Sequence, residues 1–173
     1  MNDFLKHGLR FLFAFLVQVL ILNQMEIGFG IHLMIYPLFV LLLPVEMNII
    51  TLMLLSFSLG IIIDAFSNTY GLHTSAILLL AYARPQVYKL FAPRDGYDTL
   101  IETNIFTMGF GWFLRTAGFL LIIHHFWFFM LEMFKMNEFG FVIQKTFLST
   151  PISFLICILL QYLFVKKSNK NEL

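Results

Sequence analysis

The stretch Gly60-Ile61-Ile62-Ile63-Asp64-Ala65-Phe66-Ser67-Asn68-Thr69-Tyr70-Gly71-Leu72-His73 decides the fold. It joins two long apolar runs and carries Asp64, a carboxylate deep in a hydrophobic segment. A helix is expected to end here, turn through Ser67, Asn68, Thr69 and Gly71, and give way to a second apolar helix. Asn tolerates left-handed backbone, Gly adopts it freely, and a hydroxyl suits the start of the helix that follows. The rest of the chain is counted outward from this turn.

Of the 173 residues, 60% are hydrophobic and only 12% charged, with a mean hydropathy of +0.85. A soluble domain carries about 25% charged residues to face water, so this chain lacks the material for an aqueous exterior. The 22 phenylalanines suit helices that fill and face lipid. The expectation is an integral membrane protein. The single Cys157 excludes an internal disulfide and cysteine-built metal clusters. The first 22 residues have the basic start and apolar middle of a signal peptide. Asn23-Gln24-Met25-Glu26 follows without a small-x-small cleavage pattern, which reads as an uncleaved first span.

A spanning helix needs about 20 mainly apolar residues. Six all-α spans are predicted, at about residues 5–22, 31–43, 49–66, 72–91, 105–131 and 147–165. Pro37 is expected to bend the second, and Arg84-Pro85 to stop or kink the fourth. Phe91-Ala92-Pro93-Arg94-Asp95-Gly96 signals a firm turn, and residues 97–104 a lead-in along the interface. Residues 132–145 read as a connection, and 166–173 as a polar tail.

Six spans put both termini on one side. With the termini in the cytoplasm, inner segments hold Lys6, Arg10, Arg84, Lys89, Arg94, Lys166, Lys167 and Lys170, and outer ones only Lys135 and Lys145. Positive residues favour the cytoplasmic face, so eight against two predicts termini inside and the Asp64 turn outside.

Ionisable groups within a bilayer usually have a partner or a use. Asp64 is expected either as an interfacial carboxylate bonded to the turn at 67–69 or as a polar contact to another helix or protein. Arg115 falls nearer mid-membrane in the fifth span, where it either pairs with Asp64 or snorkels to headgroups. His73, His124 and His125 sit toward the outer ends of their helices, as hydrogen-bonding residues of an aromatic belt. His124 and His125 are adjacent and so point about 100° apart. A metal site from Asp64, His73, His125 and Glu132 is conceivable, but no two have tight ligand spacing. The sequence shows no phosphate loop, nucleophile elbow or paired catalytic carboxylates within one span, and no cofactor is implied. The Lys166-Lys167 tail reads as an orientation anchor and not a nucleic-acid site.

The segments Gly60-x-x-x-Asp64-x-Phe66-Ser67-x-Thr69-x-Gly71-x-His73, Arg84-Pro85, Pro93-Arg94-Asp95-Gly96-Tyr97 and His124-His125-Phe126 with Glu132 resemble the bacterial rod shape-determining membrane protein MreD. The resemblance extends to length and span pattern. It implies a non-enzymatic part of the cell-elongation machinery in the cytoplasmic membrane. Such a protein binds an MreC-like single-span protein, and through it connects MreB filaments to RodA and penicillin-binding protein 2 in peptidoglycan synthesis. It also implies a six-helix fold similar to the substrate-binding subunits of energy-coupling-factor transporters. Carried onto this chain, Asp64, Phe66, Ser67, Thr69, Gly71 and His73 become a structural and partner-docking element.

The leading expectation is therefore an adaptor. Gly109, Gly111, Ala117 and Gly118 supply small positions for helix packing, and Asp64 with Ser67 supplies polar contacts. The alternative is a transporter or its substrate-binding subunit, with Asp64, His73 and His125 lining a small outward cavity.

Overall fold

A backbone in hydrocarbon must satisfy its polar groups internally, which leaves the apolar runs little choice but helix. A computed structural model describes residues 3–25, 27–94, 96–97, 102–134 and 136–165. Its helices are α1 (Asp3–Leu20), α2 (Pro37–Leu41), α3 (Ile49–Ser67), α4 (Leu72–Leu90), α5 (Ile105–Met108), α6 (Phe110–Met133) and α7 (Phe139–Phe164). Among the described residues there is no strand, only isolated bridges between Ile27 and Ile31 and between Pro44 and Glu102. Four segments among the described residues are long and apolar enough to cross a membrane: Leu5–Gln24, Ile49–Ser67, Phe110–Met133 and Phe139–Phe164. The chain is an all-α membrane protein.

The α3–α4 pair forms as its punctuation predicts. Asn48 opens α3 by accepting a hydrogen bond from the Ile50 amide at 2.8 Å. Asn68 ends it in left-handed backbone at φ 55°, and Gly71 at φ 90° turns the chain into α4. Gly60 lets the two helices touch. A Cβ there would sit 2.5 Å from the Thr74 Cα, so no larger residue fits without moving backbone. α4 then packs between α3 and α6, with Ile77, Leu80 and Ala81 wholly buried. It runs through Pro85 to Leu90 and does not stop at Arg84.

The second predicted span is corrected. Residues 31–43 are helical only over Pro37–Leu41, and Pro37 stands in the first turn of that helix, where its missing N–H is no loss. The segment is nevertheless buried from Leu33 to Leu43. Non-helical backbone at that depth survives because side chains satisfy it. Gln18 on α1 accepts from the Ile35 amide at 2.9 Å and donates to the Leu33 carbonyl at 2.9 Å. On α7, Ser149 and Ser153 accept from the amides of His32 and Met34, each at 3.0 Å. At the segment's far end, Tyr88 and Thr103 donate to the Leu41 carbonyl, and Arg84 donates to those of Leu43 and Pro44.

Two other limits move. The fifth predicted span is interrupted at Gly109 (φ 82°), which separates α5 from α6. The sixth begins at Phe139, not at 147, because α7 absorbs much of the polar connection. Lys145, within α7, pairs with Glu132 at 2.9 Å. The expectations placed on Glu26, Asp95, Lys135, Lys166, Lys167 and Lys170, and on the tail at 166–173, lie outside the described residues.

Candidate functional site

Gly71 is left-handed and stands where a capping side chain is wanted, yet it has none. The cap comes from behind. Asp64, one turn from the end of α3 and only 4% exposed, reaches forward to the first turn of α4. Its Oδ1 accepts from the Thr69 hydroxyl at 2.6 Å and the His73 amide at 3.0 Å. Its Oδ2 accepts from the Thr74 amide at 2.8 Å and the Thr74 hydroxyl at 2.5 Å. A carboxylate at a helix N-terminus meets unpaired amides and the positive end of the helix dipole. Asp64 thus bonds both to the turn at Thr69 and to the next helix. The hydroxyl expected to cap α4 instead steadies the carboxylate that does.

The other motif residues divide. Ser67 accepts from the Asn23 side chain at 2.7 Å, tying the turn to the loop after α1. Phe66 is 65% exposed, with its ring 5.3 Å from that of Phe15. His73 turns inward, where its Nδ1 lies 3.1 Å from the Tyr36 hydroxyl. That hydroxyl also meets His124 Nε2 at 2.6 Å. One phenolic hydroxyl therefore serves two rings: Tyr36 donates its proton to one histidine and accepts an N–H from the other.

His124 and His125 are fully buried, so the aromatic-belt expectation is corrected. They do face different ways. His125 packs against α7, with Nε2 3.1 Å from the Ser153 hydroxyl and Nδ1 2.8 Å from the Leu121 carbonyl. It does not join Asp64 and His73 around a cavity. Among the described residues no three His, Cys, Asp or Glu side chains gather as a metal site. Arg115 does not pair with Asp64 either; it is exposed on α6, and makes no ion pair or hydrogen bond among the described residues. Arg84 is 1% exposed, held by the Leu43 and Pro44 carbonyls and stacked 4.6 Å from the Tyr88 ring centre.

Beside the Asp64 turn lies a cavity of about 320 Å³, lined by Asn23, His32, Ser67, Thr69, His73 and Glu132 among others. Glu132 there carries Lys145 at 2.9 Å and His32 at 3.8 Å. Tyr36, Thr74, Gln18 and Ser153 were not anticipated from the sequence. The available signal was polarity out of place, since Gln18 and the Ser149–Ser153 pair interrupt otherwise apolar helices. No family model, characterised protein or solved structure matches the chain.

At the opposite end of the bundle, Glu102 is clamped by Lys6 at 2.6 Å and Arg10 at 3.0 Å. Burial pushes its pKa up, but the hydrogen bonds and charges of Lys6 and Arg10 outweigh it and hold the carboxyl below its ordinary value.

Proposed function

We propose that this chain is a non-enzymatic adaptor of the bacterial cell-elongation machinery, an MreD-like protein of the cytoplasmic membrane. It grips an MreC-like single-span partner and through it MreB, RodA and penicillin-binding protein 2. The observation that carries this reading is the outward face of α6. Gly111, Arg115 and Gly118 recur at helical spacing, and a Cβ at either glycine would meet nothing within 4 Å. Arg115 is exposed between them. Helices associate in lipid through small residues and interhelical polar contacts. Arg115 stands in the second turn of α6; ionisable groups within a membrane span usually have a partner, and a partner's carboxylate or carbonyls would supply one.

The rim beside the Asp64 turn supports the same reading. Phe29, Phe66, Tyr70 and Phe134 are 85%, 65%, 100% and 81% exposed, aromatics suited to an interface or to a partner's juxtamembrane surface. Counting the buried 31–43 segment as a pass gives six, with both termini cytoplasmic, an arrangement similar to the substrate-binding subunits of energy-coupling-factor transporters. Lys6, Arg10 and Arg84 gather near Pro44 and Glu102, which is the basic end this orientation puts inside. Depletion from a rod-shaped cell should give round cells, and the tagged protein should co-purify an MreC-like protein in mild detergent. Normal shape together with no such partner would contradict the proposal.

A second reading, a transporter or its substrate-binding subunit, is favoured by the polar cavity at His73. Saturable thermal stabilisation by one vitamin or metal ion would support it over the adaptor.

A further inference from the structure

A second and larger hollow opens sideways between α1 and α7. Its volume is about 840 Å³, and Leu9, Leu16, Leu38 and Leu160 give it apolar walls. One end is basic. Lys6 and Arg10 line it with Glu102, and a single carboxylate against two cations leaves a net charge of +1. Arg10 spends Nη2 on Glu102, while its buried Nη1 has no partner among the described residues. Val165, another lining residue, directly precedes Lys166 and Lys167 in the sequence.

We propose that this groove holds an anionic glycerophospholipid, with its acyl chains along the leucine walls and its phosphate at Lys6 and Arg10. The charge is complementary, and the shape excludes the obvious rival. Across the groove, Phe13 and Phe164 stand with ring centres 5.1 Å apart. A transmembrane helix is about 10–12 Å wide with its side chains, so it cannot enter without parting those rings, whereas an acyl chain passes beside them. Basic pockets between helices are a recurrent seat for anionic headgroups. Arg10 brings the charge, and a phosphate oxygen would supply the partner that its Nη1 lacks. The inference is independent of the adaptor reading.

The test is native mass spectrometry of the full-length protein in maltoside micelles doped with equal phosphatidylglycerol and phosphatidylcholine. The wild type should retain phosphatidylglycerol preferentially, and Arg10→Gln should cut that preference about fivefold, the loss of one cation at a membrane surface. Leu16→Trp, which narrows the apolar groove without touching the charges, should reduce retention of both lipids while the melting temperature holds. This second variant decides the matter if Arg10→Gln does not fold. Equal retention of the two lipids by the wild type would overturn the proposal. So would undiminished retention in Leu16→Trp, or a photo-crosslinker at Leu9 that captures a polypeptide from native membranes in place of lipid.

Discussion

Asp64 receives four hydrogen bonds from three residues beyond the end of α3, so its removal strands the buried donors of His73 and Thr74. Asp64→Asn keeps the shape but presents an NH₂ group to two of those donors. It should destabilise the protein by about 2–3 kcal/mol, the cost of a buried unsatisfied group with the lost helix-end charge, read as a fall in melting temperature in detergent. Asp64→Glu overreaches and should not restore the wild-type value. Tyr36→Phe tests the adjoining pair of histidines. It removes the hydroxyl shared by His73 and His124 and should cost about 1–3 kcal/mol, with little effect on helix content by circular dichroism. Both residues lie in one continuous patch with His73, so the double variant should be less damaged than the sum of the singles. An additive result would show that the two act separately.

Helix by helix, the α3–α4 unit is the tightest seam, and its glycine is the place to probe it. Gly60→Ala drives a Cβ to 2.5 Å from the Thr74 Cα, so the helices must separate and the Asp64 bonds must stretch. Gly118→Ala on α6 meets nothing within 4 Å. It should gain up to about 1 kcal/mol from helix propensity, while Gly60→Ala should lose several degrees of melting temperature. If both gained, the close approach at Gly60 would be refuted. The limits of α3 and the start of α4 are legible in the sequence to within one residue because Asn48, Asn68 and Gly71 punctuate them locally. The 31–43 segment is not. Its apolar run imitates a helix, and what frees it from being one is distant: Gln18 on α1, Ser149 and Ser153 on α7. The early start of α7 is hidden for a related reason, since Gln144 and Lys145 look like a loop until Lys145 finds Glu132. Within the site, Asp64, Thr69, Gly71 and His73 could be read from one stretch, whereas Tyr36 and Thr74 join only through packing. His125 was visible as unusual, but its neighbour Ser153 could not be found from spacing.

At the scale of the whole molecule, Glu102 clusters with Lys6 and Arg10 at one end of the bundle and Glu132 with Lys145 at the other, and the two ends should answer differently to pH and to partners. Glu102 has a depressed pKa in the folded state, so its contribution is present above the ordinary glutamate range and is lost as pH falls through the lowered value. Wild type should therefore lose its stability margin over Glu102→Gln in acid and keep it at neutral pH, as followed by melting temperature from pH 7 to pH 3; a margin that does not change with pH would remove Glu102 from the acid response. The larger claim is that the polar groups near the Asp64 turn build the fold, while the bare α6 face around Arg115 receives a partner. Its most direct test is a photo-crosslinking residue placed at Gly118 in living rod-shaped cells. The account predicts one dominant adduct with an MreC-like single-span protein, lost when Arg115 is replaced by leucine while the protein remains folded in the membrane. Adducts with lipid alone, or a partner adduct indifferent to Arg115, would contradict it.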